Sequence, residues 1–199
     1  MHKYLPNLFV FLDQYEHHIF QNNITNLGVI YRNYNKSNRK KELVKIANAC
    51  KKNRYKLFVS NNIKLALQVK ADGLYIPAFN KSQNFTNHEN KRLIIIGSAH
   101  NQHEIHQKIQ QKCKLIFLSP VFYIKKNNNY LNIYKFSSLA SSRKISVLPL
   151  GGINNKNIQK LNLLTNVKGF GGISIFKKKP AFKRPVFLKN NISFKFLES

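Results

Sequence analysis

The feature that most constrains this chain is a rhythm. Short apolar runs of strand character alternate with polar, amphipathic stretches from residue 8 to residue 174. The runs are LFVFL (8–12), GVIYRNY (28–34), KLFVS (56–60), DGLYIP (72–77), RLIIIGS (92–98), KLIFLSP (114–120), ISVLPLGG (145–152) and VKGFGGIS (167–174). Between them, RKKELVKIANACKKN (39–53) sets Leu43, Ile46, Ala47 and Cys50 on one face at helical spacing. The stretches 62–70, 101–112, 134–143 and 154–165 also read as helices. Residues 80–91 read as a loop or weak helix, and 125–132 as a polar loop. Strands alternating with helices make βαβ units, and these build a parallel sheet. Eight candidate strands argue for one small (β/α)8 barrel of the TIM type, an α/β fold, with an open doubly wound sheet as the competing arrangement. No repeat or linker divides residues 1–176, which are expected to form the barrel. Residues 177–199 break the rhythm with Pro180 and Pro185. They are expected to be a short tail, packed on the barrel or partly mobile.

The net charge of +27 invites a nucleic-acid reading. Three features argue against it. The positive charge is nearly all lysine, with arginine only at 32, 39, 54, 92, 143 and 184, whereas recognition of phosphate and base edges leans on arginine forks. The chain is also rich in Asn and Ile, as an AT-rich genome would make it. Finally, the lysines are scattered rather than gathered on one element. Cys50 and Cys113, the only cysteines, make neither a disulfide framework nor a zinc site. No apolar run approaches the ~20 residues that span a bilayer. Asp13 and Glu16 follow the first apolar run without a small-residue cleavage site, so the run reads as a strand rather than a leader. A cytoplasmic protein without membrane partners is expected.

Three strand ends carry residues that suit a ligand site, and in parallel α/β folds that is the end where ligands bind. In LPLGGINNKNI (148–158) two glycines follow a strand, with Asn154 or Asn155 placed to cap the next helix. Backbone N–H groups in such a turn favour anions, and glycine lets a phosphate approach closely. In VKGFGGISIF (167–176), Gly169, Gly171 and Gly172 lie in and after the last strand. Glycine there is costly unless something approaches closely, and the last two strand ends of barrels often share one phosphate. In IIIGSAHNQHEIH (94–106), Ser98 ends a strand. His100, His103 and His106 mimic metal spacing, but no carboxylate accompanies them, and they read as surface histidines of a polar helix.

In this order, the stretches GVIYRNY, KLFVSNNIKLALQVKADGLYIP, IIIGSAHN, LIFLSPVF, VLPLGGI and GFGGISIF resemble the thiamine-phosphate synthase and thiazole tautomerase superfamily. The resemblance covers most of residues 8–176 and implies thiamine biosynthesis. It implies a transferase that couples hydroxymethylpyrimidine pyrophosphate to thiazole phosphate, releasing pyrophosphate through a pyrimidine carbocation stabilised by Mg²⁺ and basic residues. It implies that Gly151, Gly152, Gly171, Gly172, Ile173 and Ser174 hold the thiazole phosphate, with Ser60 and Ser119 beside the substrates. Ser98 would lie by the pyrimidine, and Arg32 would contact pyrophosphate. The partners implied are phosphorylated thiazole and pyrimidine molecules, and a homodimer is left open.

Several positions depart from the family pattern. The metal-binding aspartates are replaced by Asn61 and Asn80. An amide oxygen can ligate Mg²⁺ but brings no charge, so Mg²⁺ use is in doubt. The family's lysine two residues after Arg32 is Tyr34 here, and its histidine after the Asp-Gly pair is Tyr75. Lys125 and Lys126 are candidates to reach the pyrophosphate. The tautomerase branch has a histidine where this chain has Pro120, so that activity is not expected. Asp72 reads as a strand-start residue. Two readings follow: a divergent synthase, or a paralogue that binds a phosphorylated thiamine precursor without the synthase reaction.

Overall fold

The computed structural model describes residues 5–22, 24–34, 39–85, 93–125, 129–141, 145–165 and 167–176, together with the backbone of 186–188 and 191–193. Eight parallel strands run in chain order around a barrel. They are β1 (Leu8–Leu12), β2 (Leu27–Tyr31), β3 (Lys56–Ser60), β4 (Gly73–Ile76), β5 (Ile94–Ala99), β6 (Leu115–Leu118), β7 (Ser146–Pro149) and β8 (Phe170–Gly172). Each pairs with its neighbour in sequence, and β8 returns to pair with β1. A parallel bridge between Leu150 and Gly171 joins the end of β7 to β8 and completes the ring. This excludes the open doubly wound sheet.

The helices are α1 (His17–Gln21), α2 (Arg39–Asn53), α3 (Ile63–Gln68), α4 (Gln102–Gln110) and α5 (Asn132–Ser141). The side chain of Asn62 caps α3 by accepting from the Leu65 N–H at 2.9 Å, and Asn101 caps α4 by accepting from Glu104 at 2.9 Å. The short helix α1 has no counterpart in the sequence reading, yet it buries Ile19 and Phe20.

The stretch after β7 corrects an expectation. Residues 154–165 form no α-helix; a 3-10 helix spans Ile158–Leu163. The asparagines explain the change. Asn154 Oδ1 accepts from the Lys156 N–H at 2.9 Å, while Asn157 Nδ2 donates to the Gly152 carbonyl at 2.8 Å. Local side-chain bonds of this kind compete with α-helix formation.

Residue alternation along each strand divides the core. Phe9, Phe11, Ile30, Phe58, Tyr75, Ile96, Leu115, Phe117 and Leu148 fill the barrel. Their neighbours, such as Val10, Val29, Val59 and Ile116, face the helices. Five aromatic rings therefore crowd the interior. Phe117 meets Phe9 edge-on at 5.0 Å and Phe11 at 5.4 Å, and Phe11 meets Tyr75 at 5.4 Å. Asp72 anchors the opposite end, accepting from Lys56 Nζ at 2.7 Å and from the Leu57 N–H at 3.0 Å.

Beyond the barrel, Val186–Leu188 and Asn191–Ser193 pair antiparallel as β9 and β10. The sequence rhythm predicts no element here: Val186–Leu188 is apolar, but Asn191 and Ser193 are not strand formers. The expectation for the rest of the tail lies outside the described residues. No helix of the described residues is long and apolar enough to cross a membrane.

Candidate active site

The C-terminal strand ends bring three groups of residues to one mouth. The first is the pair of glycine turns. Gly151 and Gly152 adopt φ of +90° and +73°, values that L side chains rarely take. A Cβ on Gly152 would strike the Phe122 carbonyl, and one on Gly151 would lie 2.9 Å from Pro120 Cα. The chain after β6 is zipped onto this turn: Val121 donates to the Leu150 carbonyl at 2.9 Å and Phe122 to Gly151 at 3.1 Å. Among the described residues, the N–H groups of Gly152, Ile153, Ile173 and Ser174 find no acceptor. Donors left free on adjacent strand ends can receive an anion. At Gly171, the close approach comes from inside the fold: a Cβ there would lie 3.0–3.1 Å from the Phe117 and Phe11 rings. Gly172 likewise makes room for Ile175 and Phe176.

The second group lies in the middle of the mouth. Tyr75 donates to Ser98 Oγ at 2.8 Å, and Ser98 is only 4% exposed. Burial pushes the Tyr75 phenol up to about 12, with the Ser98 hydrogen bond pulling the other way. Ser60 is fully buried, and its Oγ shares a 2.8 Å hydrogen bond with the Tyr34 hydroxyl. Tyr34 in turn meets the exposed ring of Phe79 edge-on at 5.9 Å. Ser119 is nearly buried, and its carbonyl lies 2.6 Å from His100 Nδ1.

The third group stands where the family's metal-binding aspartates would be, a place where Mg²⁺ use was in doubt. Asn61 and Asn80 do meet, but as partners of one another: Asn80 Nδ2 donates to Asn61 Oδ1. Asn80 Oδ1 accepts from the Ser82 N–H at 2.8 Å. Both amide oxygens are engaged, and neither carries charge. Directly behind them lies the buried ammonium of Lys108. It donates to the Pro77 carbonyl at 2.9 Å, to Asn80 at 2.8 Å and to Gln111 Oε1 at 2.8 Å. Gln111 Nε2 donates to Asn80 at 3.0 Å and to Ser82 at 2.7 Å. A fixed cation and two committed amides do not fit Mg²⁺, which needs charged oxygen ligands in near-octahedral array. Among the described residues there is no group of three His, Cys, Asp or Glu able to hold a metal.

Basic residues complete the rim. Arg32 Nε lies 3.3 Å from Asp13 Oδ1, and its guanidinium stands 5.6 Å over the Phe11 ring. Lys125 is exposed on the loop after β6; Lys126 lies outside the described residues. Two residues were missed by the sequence reading: Lys108, whose polar helix gave no hint of burial, and Arg39. Arg39 opens α2, donates from Nη2 to the Ser60 carbonyl at 2.8 Å, and stands 6.0 Å from the Tyr31 and Tyr34 ring centroids.

Comparison with known proteins bears on this site. The family model described as thiamine monophosphate synthase matches residues 18–176. The thiamine-phosphate synthase of Prochlorococcus marinus subsp. pastoris is 31% identical over 139 residues, covering 66% of this chain and 38% of that protein. The chain thus spans well under half the length of this relative. The thiamine-phosphate synthase of a Hydrogenobaculum species is 26% identical over 152 residues, covering 74% and 71% of the two chains. Among solved structures, a thiamine phosphate pyrophosphorylase from Pyrococcus furiosus superposes with a TM-score of 0.70 at 19% identity, covering 87% of this chain and 88% of that one. A 2-keto-3-deoxy-6-phosphogluconate aldolase from Zymomonas mobilis shares the fold at a TM-score of 0.62 and 13% identity, covering 90% and 95%.

Proposed function

Since this chain belongs to the thiamine monophosphate synthase family, we propose that it joins hydroxymethylpyrimidine pyrophosphate to thiazole phosphate, as a divergent member with a rebuilt mouth. The observation that carries this reading is the pair of adjoining strand ends with free backbone donors at Gly152, Ile153, Ile173 and Ser174. A phosphate monoester fits there, held by N–H groups and not by side-chain charge. Gly151, Gly171 and Gly172 keep these turns compact, and Ser119 lines the adjoining strand end. Tyr34 and Phe79 offer ring faces to the pyrimidine, and the Tyr75–Ser98 pair fixes the floor beneath it.

In the reaction, the bond between the pyrimidine's methylene carbon and the diphosphate oxygen breaks, and the diphosphate leaves with the electron pair. The thiazole nitrogen then gives its lone pair to that carbon, forming the new C–N bond. No proton moves, and the products are thiamine phosphate and pyrophosphate. Arg32 and Lys125 face the leaving group and offset its charge. The aromatic lining favours the transient cation by cation–π attraction.

The burial of Ser98 and the pairing of Asn61 with Asn80 favour a second reading, a paralogue that holds a phosphorylated thiamine precursor without coupling. Incubation with both phosphorylated halves separates the two. Thiamine phosphate supports the synthase. Saturable binding of thiazole phosphate with no product supports the second reading. Absence of both sinks each of them.

A further inference from the structure

We infer that the mouth takes up a diphosphate group without a divalent metal, the Arg39 guanidinium supplying the positive charge that the metal would bring. The inference rests on the reading of this mouth as a diphosphate site.

Arg39 sits where the metal half of the site has been lost. Its Nη2 is bonded to the carbonyl of Ser60, the residue directly before Asn61. The guanidinium is braced by the Tyr31 and Tyr34 rings, and Tyr34 is itself tied to Ser60 Oγ. The group is therefore positioned before any ligand arrives. Arginine carries five N–H donors, and among the described residues Arg39 spends one of them. Its Nε is buried without an acceptor. It is also uncommitted in charge: the ion pairs among the described residues are His18–Glu16, Arg32–Asp13 and Lys56–Asp72. Arg32, by contrast, shares its charge with Asp13.

Charge counting gives the same result. Two carboxylates and one divalent cation sum to zero. Two amides without a cation also sum to zero, and Arg39 then adds one positive charge. Arg39 also stands in for the lysine that Tyr34 replaces, so a mouth with Asn61, Asn80 and Arg39 presents a leaving diphosphate with as much positive charge as a filled metal site beside that lysine would, now in a planar fork suited to phosphate oxygens.

The test is calorimetric titration of the full chain with inorganic pyrophosphate at physiological salt, once in EDTA and once with excess Mg²⁺. The expected result is one saturable site per chain in EDTA that Mg²⁺ does not strengthen. Arg39→Met is expected to weaken it about tenfold or more, Arg39→Lys to weaken it less, and Lys64→Met, on the exposed face of α3, to leave it unchanged. Pyrophosphate that binds only with Mg²⁺, or equally well to Arg39→Met, overturns the inference. The metal comparison on the unaltered chain decides the matter even if Arg39→Met fails to fold. Arg39-dependent binding without any thiamine phosphate formed would sink the synthase reading alone. Turnover that strictly needs Mg²⁺, without pyrophosphate binding in EDTA, would sink this inference alone.

Discussion

The Tyr75 hydroxyl donates to Ser98 Oγ across 2.8 Å, closing the barrel interior just below the mouth. Both groups are buried, so each is the other's replacement for water. Tyr75→Phe or Ser98→Ala alone leaves one buried hydroxyl unpaired, at a cost of about 1–3 kcal/mol. The double variant leaves none. Urea unfolding of the four proteins in a double-mutant cycle is expected to give a double variant more stable than the sum of the singles, by ~1 kcal/mol. Additive effects would mean that the hydrogen bond contributes nothing.

Alkaline pH is expected to unfold the protein through its buried phenols and thiols. Burial raises Tyr75 from 10.0 to about 12 and Cys113 from 9.0 to about 12, and it also raises Tyr31, Tyr55 and Cys50. A folded value above the unfolded one means stability that is complete below the unfolded value and is lost as pH rises toward the folded one. Lys108, drawn down by burial, acts in the opposite sense, but one group opposes five. The urea midpoint is expected to fall between about pH 9 and pH 12, and to fall less in Tyr75→Phe.

Lys108 holds the loop that carries Asn80. Lys108→Met removes three hydrogen bonds from a charged donor and leaves buried carbonyls short of partners. A loss of roughly 2–4 kcal/mol is expected in chemical denaturation, with faster amide exchange at Ser82. An unchanged midpoint would contradict the clamp.

Restoring the acids should restore a metal response. In Asn61→Asp/Asn80→Asp the two carboxylates face one another where amides now pair. That variant is expected to melt below the unaltered protein in EDTA and to regain stability with Mg²⁺, by mass action on the folded state. The unaltered protein is expected to melt at the same temperature in both. A Mg²⁺-dependent rise in the unaltered protein would show that the amides suffice.

Gly152→Ala tests the phosphate turn. The substitution forces a side chain onto φ +73° and against the Phe122 carbonyl, costing about 1–3 kcal/mol. Affinity for thiazole phosphate should fall as well, because the N–H of residue 152 is displaced.

Much of this architecture can be read from the chain because strand and helix periods differ sharply. LFVFL and the Lys56–Ser60 stretch are strands end to end as read, and the Leu43, Ile46, Cys50 stripe marks α2 correctly. The helix expected after β7 failed because its asparagines bond locally, a competition that hydrophobic spacing does not register. At the site, the glycine turns and the replaced aspartates are visible as letters. The pairing of Asn61 with Asn80 is not, since 19 residues separate them and only the β3–β4 register brings them together. Gly171 looked like a place for ligand approach, whereas the barrel's own phenylalanines fill that space. Arg39 reads as an ordinary helix-opening arginine until the fold sets it against Ser60.

We propose that this barrel couples two phosphorylated halves of thiamine without a divalent metal. The direct measurement is thiamine phosphate formed from hydroxymethylpyrimidine pyrophosphate and thiazole phosphate in EDTA, and again with saturating Mg²⁺. Product is expected in both, at comparable rates. Product only with Mg²⁺ would contradict the metal-free mouth, and no product in either, from folded protein, would contradict the synthase itself.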